Sequence, residues 1–92
     1  MSAAVEQEVE IVNRLGLHAR AAAKLVQTAS AFRSRVLLVL DGEEVDAKSI
    51  LGLLLLAAAQ GTRLRVRCAG PDQEEAMTAV TALIANRFEE ES

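Results

Sequence analysis

His18 is the only histidine in the chain, and Arg20 follows two residues later. A neutral imidazole is a nucleophile that works near neutral pH. A guanidinium offers a planar donor fork that suits phosphate oxygens. The pair stands where a helix is expected to begin. There the backbone N–H groups of Ala19, Arg20 and Ala21 have no partner inside the helix, and the positive end of the helix dipole favours anions. A nucleophile, an anion site and a mobile cation within three residues describe a histidine that accepts a phosphoryl group and gives it up again. A surface histidine in an ordinary loop fits the same residues, and local chemistry leaves the two readings level.

The flanking elements give His18 its place. Val5, Val9 and Ile11 alternate with Glu6, Glu8 and Glu10, the period of a half-buried strand expected from Val5 to Val12. Ala22, Leu25, Val26 and Ala29 recur on one face of a helix expected from Ala19 to Ser30. Gly16 supplies the turn between them. Ser, Thr, Asp and Asn are better helix caps than His, so helix stability does not account for a histidine at this junction.

The remaining elements follow in order. Arg35 to Leu40 reads as a strand, Asp41-Gly42 as a tight hairpin, and Glu43 to Asp46 as a short returning strand. Ser49 opens a helical segment from Ile50 to Ala59, closed by Gln60-Gly61. Arg63, Arg65 and Arg67 alternate with Leu64, Val66 and Cys68 in a fourth strand with one buried face. Gly70-Pro71-Asp72 starts a last helix with Ala76, Val80, Leu83 and Ile84 as its core stripe, and Glu89 to Ser92 reads as a frayed acidic tail. The order βαββαβα implies an α+β domain with helices on one face of an antiparallel sheet.

Composition narrows the classes. Ninety-two residues bound one small core, built of Leu, Val, Ile and Ala because Phe32 and Phe88 are the only aromatics. A net charge of −3 argues against a general nucleic-acid binder. One cysteine excludes an internal disulfide and suits a reducing cytosol. The longest apolar run, Ile50 to Ala59, is too short to span a bilayer, and the first residues lack a signal pattern. The expectation is a cytoplasmic monomer with no membrane insertion and no bound metal.

Gly16-Leu17-His18-Ala19-Arg20-Ala21-Ala22-Ala23 resembles the active-site signature of HPr, the histidine-containing phosphocarrier family of bacterial phosphotransferase systems. Asp46-Ala47-Lys48-Ser49-Ile50-Leu51-Gly52 resembles the same family's regulatory-serine segment, and the spacing between the two agrees. The resemblance spans residues 1–92 as one domain. It implies an open-faced β-sandwich, a four-stranded antiparallel sheet with three helices on one face. It also implies a carrier rather than an enzyme. Phospho-enzyme I would phosphorylate His18 on Nδ1, IIA proteins or domains would receive the group, and no cofactor would be needed. Ala21 stands where most members of the sugar branch carry proline, and the motif also resembles the nitrogen-related branch, a regulatory phosphorelay. Both branches stay open.

Ser49 is expected to cap its helix. The resemblance makes it the target of a regulatory serine kinase and phosphatase, which is compatible with capping. Ile50, Leu51 and Leu54, with Leu55 near, exceed what one buried helical face needs, and the resemblance assigns them to partner docking. An RNA-recognition module shares the element order but stacks bases on sheet aromatics, and none of the expected strands contains one. The arginines of the fourth strand read as a solvated face, and Cys68 as core.

Overall fold

Period-two and helical patterning translate into β1 (Val5–Glu10), α1 (Ala19–Ser30), β2 (Arg35–Leu40), β3 (Glu43–Asp46), α2 (Ile50–Leu56), β4 (Arg63–Ala69) and α3 (Gln73–Ala85). These come from a computed structural model that describes residues 3–92. The strands form one antiparallel sheet in the order β1-β4-β2-β3. The expected α+β sandwich is therefore the fold.

Leu64, Val66 and Cys68 of β4 face the helices together with Val36 and Leu38 of β2, all buried. On the other face Arg63, Arg65 and Arg67 stand opposite Glu10, Glu8 and Glu6 of β1. Arg67 reaches both Glu6, at 3.3 Å, and Glu44, at 2.6 Å. Its hydrogen bond to Glu44 and the charge of Glu6 raise its pKa. Such exposed pairs set register and solubility more than stability. Cys68 is buried, and burial, with the charge of Asp72 behind it, pushes its thiol pKa up. A buried, protonated thiol is a packing group.

α1 buries Ala21, Ala22, Leu25 and Ala29, three of them small enough to let its backbone lie close to the layer below. Arg20 is exposed, off this stripe. Asp41 and Gly42 both have positive φ, 52° and 83°, as the primed hairpin turn requires.

Three boundaries differ from expectation. β1 stops at Glu10 because Ile11 leaves the strand ladder and pairs with the loop before β4: its N–H donates to Thr62 O at 2.9 Å, and its carbonyl accepts from Gly61 N–H at 2.7 Å. α2 ends at Leu56 rather than Ala59, with Ala57 left-handed at φ 52°. Three alanines favour helix locally, but the Ala58 carbonyl is taken by Leu17 N–H at 2.8 Å, so tertiary pairing overrides propensity. The tail does not fray from Glu89 as expected. Arg87–Glu89 forms a short turn with φ values of 57°, 52° and 65°, and Phe88 within it is fully buried.

Asp72 stands at the N-cap of α3 but makes no capping bond. It clasps the start of β2 instead, accepting from Ser34 Oγ at 2.6 Å, Ser34 N–H at 2.9 Å and Arg33 N–H at 3.0 Å. The Ser34 hydroxyl and then the Arg33 N–H hold its carboxyl at about 2, below the ordinary 3.8. A carboxyl depressed in the folded state stabilises above its unfolded value, and that contribution is lost as pH falls through the folded value. Stability followed by circular dichroism should therefore hold a component that fades between about pH 4 and pH 2. An Asp72→Ala variant should lack that component.

Candidate functional site

The loop between β1 and α1 is built around Asn13 and Gly16. Asn13 is fully buried, and its Nδ2 donates to Gly16 O at 2.7 Å and to Glu90 Oε1 at 3.1 Å. Gly16 has φ +67°, and a Cβ there would lie 2.5 Å from the Ala58 carbonyl oxygen. The glycine thus permits both the left-handed turn and the approach to Ala58. Next in the chain, Leu17 donates its N–H to that same oxygen. These contacts stop the chain one residue short of the helix and leave His18 at its N-cap.

His18 has extended backbone, and Nδ1 accepts the Arg20 N–H at 3.2 Å. The first bond inside α1 is Ala22 N–H to His18 O, at 2.8 Å. The Arg20 amide thus meets Nδ1 at the positive end of the helix, and the amides of Ala19 and Ala21 beside it have no partner inside the helix. Because Nδ1 accepts, the neutral ring carries its hydrogen on Nε2. That nitrogen meets Glu90 Oε2. The side chains of His18 and Glu90 are 24% and 11% exposed, so the ring is open enough to react while the carboxylate behind it is nearly covered. Burial alone would raise the Glu90 pKa. Hydrogen bonds from His18 and Asn13 and the charges of His18 and Arg20 outweigh burial and hold it below the ordinary value.

The path of the tail delivers Glu90. Phe88 anchors it in the core, and Lys24 Nζ donates to Phe88 O at 2.8 Å. Three consecutive non-glycine residues with positive φ carry the chain around, at a backbone cost on the order of 1 kcal/mol each. The Arg20 guanidinium makes no ion pair among the described residues. It borders an open hollow of mixed charge with Arg14, Lys24, Glu89, Glu90 and Glu91.

The structure places His18 at the N-cap of α1 and Ala19, Arg20 and Ala21 in its first turn. Ser49 caps α2, its Oγ accepting Gly52 N–H at 3.1 Å, and it is half-buried. Ile50, Leu51 and Leu54 are 42%, 64% and 38% exposed, and Leu55 is 76% exposed, while Leu53 holds the core. Sequence reasoning missed three participants: Asn13, Glu90 and Leu15. Leu15 is 66% exposed and borders a hollow with His18 and Leu54. An apolar residue between Arg14 and Gly16 in a loop was the available signal for it, whereas the Glu90 contact spans 72 positions and left none.

A family model described as "PTS HPr component phosphorylation site" matches residues 5–86. The chain belongs to the HPr family. The phosphocarrier protein HPr of Xylella fastidiosa strain Temecula1 is 54% identical over 88 residues, covering 96% of this chain and 99% of the relative. Escherichia coli K12 phosphocarrier protein NPr is 46% identical over 88 residues, covering 95% and 98%. The crystal structure of HPr-C-His from Thermoanaerobacter tengcongensis superposes with a TM-score of 0.91 at 44% identity, covering 96% and 99%. The chain is thus an HPr-type phosphocarrier of a phosphotransferase system, and its sheet and three helices are those of HPr. Among the described residues no helix is long and apolar enough to cross a membrane.

The Gly16 contact is testable by adding a methyl group. Gly16→Ala should lose about 1–3 kcal/mol in urea unfolding, from strained backbone and the clash with Ala58. Gly42→Ala, also at positive φ but with nothing within 4 Å of its new Cβ, should lose less.

Proposed function

We propose that His18 carries the phosphoryl group, that phospho-enzyme I supplies it, and that IIA proteins or domains receive it. The supporting observation is the orientation of the ring: Nδ1 meets the Arg20 amide at the start of α1 while Nε2 is occupied by Glu90. In the transfer the Nδ1 lone pair forms a bond to phosphorus. The bond from phosphorus to the donor residue breaks, and its electron pair returns to the donor. The incoming oxygens take up the N–H groups of Ala19, Arg20 and Ala21, and the unpaired Arg20 fork adds charge-assisted contacts. Alanine at position 21 contributes an amide that proline would lack. These contacts are few, which suits a group that must leave again. The carrier acts as a cytoplasmic monomer of one domain over residues 1–92, with no cofactor of its own.

A regulatory, nitrogen-related relay is the second reading, favoured by Ala21 and by the 46% identity to a protein named NPr. It uses the same histidine with a different IIA partner.

Ile50, Leu51 and Leu54 form the docking surface for these partners, and their exposure, with Leu54 beside His18, supports that role. Ser49 at their edge is the regulatory phosphorylation site for a serine kinase and its phosphatase.

Incubation with enzyme I and labelled phosphoenolpyruvate should give an acid-labile, base-stable adduct. His18→Ala should take up no label. Arg20→Ala should keep its unfolding free energy within about 0.5 kcal/mol, yet accept phosphate roughly tenfold more slowly. Labelling of His18→Ala at the parent rate would overturn the assignment.

Ser49→Asp tests regulation. A carboxylate still caps α2 and suits its positive end, so the melting temperature should stay within a few degrees of the parent. A charge at the edge of an apolar docking surface must be desolvated when a partner binds. Phosphorylation of His18 by enzyme I should therefore slow, with the loss in KM.

A further inference from the structure

The Glu90 contact is more than a place for the tail to rest. Its carboxylate is held at both oxygens, by His18 Nε2 and by the buried Asn13 amide, and its side chain is 11% exposed. Both Asn13 amide hydrogens are committed, one to Gly16 in the loop that sets His18 and one to Glu90. The turn that delivers Glu90 is fixed independently by the Phe88 anchor and by Lys24. A carboxylate so placed confronts the far nitrogen of a histidine whose near nitrogen faces an anion site.

We propose that Glu90 is a positioning residue for phosphoryl transfer: it keeps the hydrogen on Nε2 of His18, aims Nδ1 at the incoming phosphorus, and faces the positive charge that the ring gains. The inference rests on His18 being the phosphorylated residue. When Nδ1 bonds to phosphorus, no proton leaves the ring. The hydrogen stays on Nε2, the ring becomes a cation, and the Glu90 carboxylate lies against it as an ion pair. When the group moves on, the P–Nδ1 bond breaks, its electrons return to Nδ1 and the ring is neutral again. A carboxylate on the far nitrogen of a reacting imidazole holds its tautomer and stabilises its cation. Here the arrangement also helps keep transfer reversible, since the stabilising charge neither binds the phosphoryl group nor blocks its exit. Asn13 holds that charge in place through the second oxygen.

The test compares Glu90→Gln and Glu90→Ala with the parent chain in phosphorylation by phospho-enzyme I, with the label mapped by peptide mass spectrometry. Proton NMR of the unphosphorylated proteins follows the Nε2 hydrogen. The parent should show a downfield Nε2–H signal protected from exchange; it should move in Glu90→Gln and vanish in Glu90→Ala. In both variants kcat for transfer should fall about tenfold with KM unchanged. Glu90→Gln keeps the shape of the side chain and decides the matter if Glu90→Ala unfolds. Unchanged kcat, a loss confined to KM, or a Nε2–H signal indifferent to both substitutions would each overturn the proposal. Label that maps away from His18 overturns the carrier assignment and this inference together. Label on His18 with unchanged kcat overturns this inference alone.

Discussion

The site hangs on the close approach of Gly16 to the carbonyl of Ala58. The missing side chain lets two loops from opposite halves of the chain share one hydrogen bond, Leu17 N–H to Ala58 O. That bond has two effects. It removes the Ala58 carbonyl from the helix that Ala57, Ala58 and Ala59 would otherwise continue, and it halts the strand-to-helix connection with His18 at the cap of α1. A position that a serine or aspartate would fill for stability is thereby given to a side chain that can react.

Around that point charges of both signs meet on one imidazole. The ring lies between a helix terminus, whose positive end meets Nδ1, and a carboxylate that meets Nε2 from behind. Neither is a deep pocket. Arg20 stays unpaired with any described carboxylate, so its fork keeps its donors free. Near the ring Leu15 and Leu54 are exposed, and of α2 only Leu53 is buried in the core.

Much of this is legible in the sequence. β2, β3 and α1 begin and end where alternation and helical spacing put them, because each has one clearly apolar face and a strong punctuating residue. The His18–Arg20 pair and the Ser49 cap were legible because they depend on local sequence. What was not legible depends on contacts far apart in the chain. Sheet order requires β4 to enter between β1 and β2, which no periodicity records. The end of α2 is decided by a hydrogen-bond donor 41 positions earlier, Leu17. Glu89 to Ser92 looks like a solvated acidic run because the burial of Phe88 and the reach of Glu90 to His18, 72 positions away, leave no mark on the local pattern.

The strand order also sets a sequence of events on the ribosome. β1 emerges early but has no neighbour until β4 is made more than fifty residues later. Until then only the β2–β3 hairpin can close locally, and long-range pairing of this kind is slow to nucleate. The loop bearing His18 must wait for Ala58 to dock against, and its Nε2 for residue 90. The reactive imidazole, encoded near the start, is among the last features of the molecule to be completed. A growing or prematurely ended chain thus presents the histidine without the frame that orients it.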